Sequence, residues 1–179
     1  VQGLIRFDHM FNTSGGVSRG GGPIPDGSTI LNATLTVRTG TAAGDESPAG
    51  NYFFFARMIV TWQEATATWD SLVGGVSLDG VEASASYTDY VNGPATQGAA
   101  VSLNLTSDLQ LWSNDNSLST RGWVIDPTLG TNGWWFDSSD ATTVANRPIL
   151  TVKYLPPNAA RPAAWPSSPG PSHPVPRPT

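Results

Sequence analysis

The strongest constraint on the fold is a regular alternation of apolar and polar residues over residues 30–38. Ala33, Leu35 and Val37 would point to one side of an extended chain, and the polar residues between them to the other. This period of two predicts a half-buried antiparallel strand. Helical periodicity is nearly absent from residues 1–154, so we predict that this part of the chain is mostly β-structure.

Short apolar segments recur along the chain, separated by clusters of Gly, Pro, Asn, Asp and Ser that favour turns. The nearly continuous apolar run at residues 52–60 predicts a strand covered on both faces. One short helix is predicted at residues 106–113, with Leu109 and Trp112 on one face. The predicted fold class is all-β, an antiparallel β-sandwich of jelly-roll type with one short helix. The other predicted strands are residues 4–7, 101–105, 122–125, 133–136 and 149–154.

The composition changes sharply after Tyr154. Residues 155–179 contain nine of the 15 prolines, and proline fixes φ and lacks an amide donor, so we predict an extended Pro-rich tail. The tail carries Arg161 and Arg177 and no acid, so it contributes +2 to the net charge of −5 and leaves −7 for residues 1–154. Its one large aromatic side chain is Trp165. We therefore predict a jelly-roll domain over residues 1–154 and a tail or linker over residues 155–179.

The composition also argues against several classes of function. The chain has no cysteine, which excludes disulfide scaffolds, Cys-based zinc sites and thiol nucleophiles. Its acidic charge and single lysine, Lys153, predict no nucleic-acid partner, and its apolar runs are too short for membrane insertion as a helix. Because HExxH and Walker-type motifs are absent from the sequence, we predict that the protein is not an enzyme.

Calcium is the one cofactor that the sequence leaves open, because carboxylates in loops supply the hard oxygen ligands that this ion prefers. These carboxylates lack the spacing of an EF-hand, and acids that form turns are the alternative interpretation. The candidate ligands are Asp8, Asp45, Glu46 and Asp115.

Several motifs together resemble those of DNRLRE-type domains. In chain order they are GLIRFD, IPDGSTILNATLTV, WQEATATWDSL, GGVSLDGVEA, GWWFDSSD and NRPILTVKY. The resemblance covers most of residues 1–154. It implies a jelly-roll domain of a secreted, mostly bacterial protein, similar to carbohydrate-binding modules and without catalytic activity. It also implies an extracellular or cell-surface location.

Domains of this family usually begin with a strand that precedes the segment resembling GLIRFD, whereas this chain starts there at Val1. Three explanations stay open: the sequence is part of a longer one, a precursor has been cut, or another copy supplies the strand. The last leads to our first hypothesis, a structural module that assembles with copies of itself into a filament or surface layer. Assembly contacts are then expected at Val1, Leu4, Arg161, Trp165 and Arg177.

The tryptophans lead to a second hypothesis, binding of a polysaccharide. Aromatic rings stack on the apolar C–H face of a sugar, although they also make good core. Adjacent Trp134 and Trp135 would point to opposite sides of a strand, so one is expected in the core and the other outside. Together with Trp123 they are the candidate contacts to a ligand or partner. This hypothesis predicts a row of outward aromatics on one sheet face, or a calcium-rimmed pocket at a loop end.

Overall fold

A computed structural model of the chain describes residues 2–12, 21–47, 51–72, 74–118, 120–127 and 133–157. Within these residues the chain forms seven strands and one α-helix, and the strands make two antiparallel sheets. Buried apolar side chains fill the space between the sheets. The predicted all-β sandwich with one short helix is therefore confirmed.

The two sheets have four and three strands. The strands β1 (Gly3–Ile5), β3 (Tyr52–Arg57), β4 (Asp89–Asn92) and β6 (Trp123–Pro127) form a sheet in the order β1-β6-β3-β4. The strands β2 (Thr29–Arg38), β5 (Ala100–Asn104) and β7 (Ile149–Leu155) form a sheet in the order β5-β2-β7. Among consecutive described strands, every connection except that from β3 to β4 crosses between the sheets, as in jelly-roll sandwiches.

Side chains in β2 alternate between buried and outward positions, as the sequence predicts. Ala33, Leu35 and Val37 are fully buried between the sheets. Near its start, β2 shifts register against β7 between Ile30 and Asn32, so Ile30 is buried and the next residue points outward. Such a bulge adds one residue and changes which side the following side chains face.

The helix α1 (Thr106–Asn114) lies against the first half of β2, where β5 no longer pairs with it. The backbone N–H of Ala33 donates to Oγ1 of Thr106 at 2.9 Å, and that of Ile30 donates to Oε1 of Gln110 at 2.7 Å. Helix side chains therefore satisfy backbone donors that a neighbouring strand would otherwise satisfy. Leu109 and Trp112 are fully buried, as their spacing predicts.

The strand predictions are wrong in part. Residues 133–136 form only an isolated bridge between Thr39 and Phe136, and β4 was not predicted. The strand predicted at residues 52–60 ends at Arg57, and its outer face is covered only in part, because Tyr52 is exposed. β7 ends at Leu155, and residues 158–179 of the predicted tail lie outside the described residues.

Candidate functional site

The outer face of the four-stranded sheet is covered over one half and open over the other. The segment 58–88 folds over the covered half and encloses a second apolar cluster. The buried members of this cluster are Ala56, Met58, Trp62, Val76, Ala83 and Val124. In the open half, Tyr52 and Phe54 of β3 and Tyr90 of β4 point outward, and Tyr87 at the end of segment 58–88 lies against Phe54.

We call the side chains of Tyr52, Phe54, Tyr87 and Tyr90 the aromatic cluster. The Phe54 ring lies at its centre, with ring centroids 4.1 Å from Tyr87, 5.6 Å from Tyr90 and 6.2 Å from Tyr52. The tyrosines are 49%, 48% and 54% exposed, in chain order. Exposed apolar surface of this kind, gathered in one place, is typical of an interaction site. The polysaccharide hypothesis predicts a row of outward aromatics on one sheet face, and none of these four residues is among its candidate contacts.

Strand register places the cluster at one end of a straight row across the sheet. Phe54 is the cross-strand partner of Tyr90 on one side and of Asp126 on the other. Because Gly3 pairs with Ile125, Gln2 lies next to Asp126 at the far edge. Neighbouring strands are about 4.8 Å apart, so the row from Tyr90 to Gln2 spans about 14 Å. Each position of the row therefore comes from a different part of the chain.

Some polar groups of the row are hydrogen-bonded within the protein, and others are not. Gln2 Nε2 donates to Oδ1 of Asp126 at 3.1 Å and to the carbonyl of Val76 at 2.8 Å. Gln2 Oε1 accepts from the Val76 amide at 2.7 Å, so this side chain pairs with the backbone as a strand would. Among the described residues, Oδ2 of Asp126 and the three tyrosine hydroxyls of the cluster have no hydrogen-bond partner. These groups are available to a ligand.

The tryptophans predicted as contacts lie in three different environments. The prediction for Trp123 is wrong, because this side chain is fully buried and donates through Nε1 to Asp108. Trp134 is also buried, with Nε1 bonded to Oγ1 of Thr39 at 3.0 Å, so it too belongs to the core. Trp135 is 64% exposed, and the expected division of this pair between core and surface is confirmed. Whether Trp135 contacts a ligand stays a prediction.

Of the residues predicted for assembly, the structure describes only Leu4. Its side chain is half-buried and packs against the second apolar cluster, beneath segment 58–88. Val1, Arg161, Trp165 and Arg177 lie outside the described residues. The assembly prediction is therefore untested.

The four calcium candidates have local partners. Asp8 forms an ion pair with Arg6 at 2.8 Å, and Asp45 accepts from the Ala42 amide at 2.8 Å. Glu46 accepts from the Gly44 amide at 3.2 Å, and Asp115 accepts from the amide and hydroxyl of Ser117 at 3.0 and 2.6 Å. Within the described ranges, no three His, Cys, Asp or Glu side chains are grouped where they could share a metal ion. Calcium binding stays a prediction.

A cleft of about 410 Å³ lies between β1 and the residues that lead into β7. Its wall is built by Arg6, whose guanidinium lies 4.8 Å from the Trp62 ring centroid and donates to the Trp62 carbonyl at 2.7 Å. Trp62 Nε1 in turn donates to the carbonyl of Arg121 at 2.7 Å. These contacts fasten segment 58–88 to β1, so Arg6 has a structural role in the cleft wall.

Sequence reasoning missed the aromatic cluster because its members come from separate parts of the chain. The local signals were the aromatic residues at positions 52 and 54, which share one face of the predicted strand, and the two tyrosines of the short segment at residues 87–91. The position of Phe54 beside Tyr90 depends on strand pairing, which the sequence does not specify.

Comparison with family models, with curated proteins and with solved structures finds no match to this chain. The resemblance to DNRLRE-type domains therefore stays a prediction. Among the described residues, no helix has the length and apolar character needed to span a membrane.

Proposed function

We propose that this protein is a non-catalytic module that binds a glycan on the open half of its four-stranded sheet. The aromatic cluster is the single observation that carries the proposal, because exposed rings fit the apolar C–H face of a sugar. Hydroxyls at the rim of that sugar would bond to the free Asp126 oxygen and the tyrosine hydroxyls.

The chemistry of the cluster favours a glycan over a protein partner. The cores of protein interfaces are enriched in aromatic residues together with methionine and arginine. The row from Tyr90 to Gln2 has rings, a carboxylate and an amide, but no aliphatic or cationic side chain. Such a surface pairs with a ligand that presents hydroxyls and C–H groups together.

A glycan array, followed by titration of the best soluble ligand, tests the proposal. Tyr90→Ala and Tyr52→Ala are each expected to weaken binding about tenfold, since each removes an exposed ring worth about 1 kcal/mol or more. Both variants should unfold at the wild-type temperature, because both side chains are half exposed. Trp135→Ala tests the alternative contact expected from the sequence: if the glycan lies on the aromatic cluster, this exposed aromatic outside it should be removable with no change in affinity.

Two outcomes would overturn the proposal. One is the absence of binding to every neutral or acidic polysaccharide tested. The other is binding that depends on Trp135 and is indifferent to Tyr52 and Tyr90.

Self-assembly is a second proposal, and one observation favours it. β7 is a seven-residue strand at the edge of its sheet, and within the described residues no strand pairs with its outer side. Free strand edges can pair with another chain. The opposite charges of the tail and of residues 1–154 would assist such a contact.

Charge reversal in the full chain tests assembly without deleting any strand. Arg161→Glu with Arg177→Glu changes the tail from +2 to −2. If the tail of one copy contacts the acidic domain of another, the double variant should give smaller particles by light scattering at low salt. The difference should shrink in high salt, where charges are screened. An unchanged mass at both salt concentrations would contradict a role for tail charge.

A further inference from the structure

We infer that Trp69 forms the far end of an extended glycan site, so that a neutral sugar chain lies across the strands from the aromatic cluster to Trp69. The inference rests on the proposed function and adds to it the length, the direction and the charge class of the ligand.

Trp69 is held in place at the surface by the backbone of two glycines. Its carbonyl accepts hydrogen bonds from the amides of Gly74 and Gly75, each at 3.0 Å. Its ring lies so close to Gly75 that a Cβ there would come within 2.6 Å of two ring carbons. Gly75 also has a φ of +102°, which other residues rarely adopt. The ring is 56% exposed, so a fixed aromatic surface faces solvent.

Trp69 continues the row that begins at the aromatic cluster. The same point above Gly75 lies 3.0 Å from Oε1 of Gln2, the last member of the row. A depression of about 110 Å³ lies between Trp69, Gln2 and Leu72. The order across the surface is therefore rings, then Asp126 and Gln2, then a ring again.

The spacing of this row suits a chain of sugars and exceeds what a single sugar can contact. The row from Tyr90 to Gln2 spans about 14 Å, and Trp69 lies beside its Gln2 end. A sugar unit in an extended glycan is about as long as the separation of two strands, so several units would cover the row. The rings at both ends would contact C–H faces, and Asp126 in the middle would accept from hydroxyls.

Charge selects the class of glycan. Asp126 is the one ionisable carboxylate in the row, and Asp70 follows Trp69 directly in the chain. The row contains no lysine or arginine, and residues 1–154 have a net charge of −7. A uronate or sulfate ester would therefore be repelled, whereas a neutral chain would not.

Titration with glycans of two lengths tests the inference on the full chain. The probes are cello-, xylo- and manno-hexaose, the matching disaccharides, and the acidic hexamer of galacturonic acid. Wild-type protein should bind a neutral hexaose more tightly than its disaccharide, and more tightly than the acidic hexamer. Trp69→Ala should lower the affinity for that hexaose about threefold to tenfold and leave the disaccharide affinity unchanged.

Trp69→Tyr keeps a ring and should restore most of the hexaose affinity, whereas Trp135→Ala should change neither affinity. Restored binding would show that the loss in Trp69→Ala comes from the missing ring. If the loss came from local unfolding around Gly75, tyrosine would not restore binding, because it cannot replace the packing of tryptophan. Equal effects of Trp69→Ala on both lengths, or no effect on either, would overturn the inference. So would tighter binding of the acidic hexamer.

Failure of this inference can be told apart from failure of the proposed function. If no neutral glycan binds the wild-type protein, the proposed function fails and the inference falls with it. If Tyr90→Ala weakens both lengths while Trp69→Ala weakens neither, the function stands and only the extension to Trp69 is wrong.

Discussion

The indole Nε1 of Trp123 donates a hydrogen bond of 2.7 Å to Oδ2 of Asp108, inside the core of the sandwich. The same oxygen accepts from the hydroxyl of Thr88, and Nε of Arg57 lies 3.6 Å from Oδ1. A buried carboxylate needs such partners, because it has lost its hydration. Asp108 thus joins α1 to the four-stranded sheet.

We expect Asp108→Ala to lower the free energy of unfolding by about 3 kcal/mol, since it leaves a buried indole N–H and the Arg57 side chain without their acceptor. Urea unfolding followed by tryptophan fluorescence measures this loss. Asp140→Ala is the control, because Asp140 is exposed, and it should change stability by less than about 0.5 kcal/mol. Equal effects of the two substitutions would contradict the role given to Asp108.

Gly122 lies where the chain enters β6, and it has both a positive φ and no room for a side chain. Its φ is +75°, and a Cβ there would come 2.0 Å from the carbonyl oxygen of Ile5. Gly122→Ala should therefore cost about 3 kcal/mol or more, or prevent folding. Gly44→Ala separates the two causes, because Gly44 has a φ of +95° and open space around it. We expect Gly44→Ala to cost about 1 kcal/mol in the same thermal unfolding measurement.

The stacking of Arg6 on Trp62 can be measured by a double-mutant cycle. Arg6→Met removes the charge and keeps an apolar stem, and Trp62→Leu removes the ring. We expect a coupling free energy of about 1 kcal/mol, because the guanidinium lies 4.8 Å from the ring centroid and Trp62 is nearly buried. Additive losses in urea unfolding would show that this contact contributes nothing of its own.

The pKa of the Glu46 carboxyl lies below its usual value, chiefly because its own backbone N–H donates to it, with further hydrogen bonds from Gln97 and Gly44. Because the folded pKa is the lower one, ionised Glu46 contributes stability above the unfolded pKa, and this contribution is lost as the pH falls through the folded pKa. NMR titration of the carboxyl carbon should place its midpoint below that of an unfolded peptide. Glu46→Gln should be less stable than wild type at neutral pH and equal to it in acid.

The sequence predicted those elements whose pattern is local. The alternation in β2 and the Leu109–Trp112 spacing each specify a buried face, and both are confirmed. The run at residues 52–60 could not show which part of its outer face is covered, because the cover comes from the way the following segment, 58–88, folds back over the sheet. An apolar segment has the same sequence pattern whether or not a loop covers its outer face.

The candidate site was predicted less well, for a physical reason. Trp123 and Trp135 look alike in sequence, yet one is bonded to Asp108 in the core and the other faces solvent. The row from Tyr90 to Gln2 exists only through pairing between strands far apart in the chain. Side-chain alternation predicts a face, but cross-strand register decides which residues become neighbours on it.

The contacts of Gln2 and Arg6 have a consequence for local opening. Both residues flank β1, and both hold segment 58–88, Gln2 through Val76 and Arg6 through Trp62. An event that lifts β1 from β6 must also release this segment, so the two should open as one cooperative unit. Amide hydrogens in β1 and in the segment should then exchange with solvent with similar free energies of opening. The surface that carries Trp69 would therefore open as readily as β1, an edge strand of three residues.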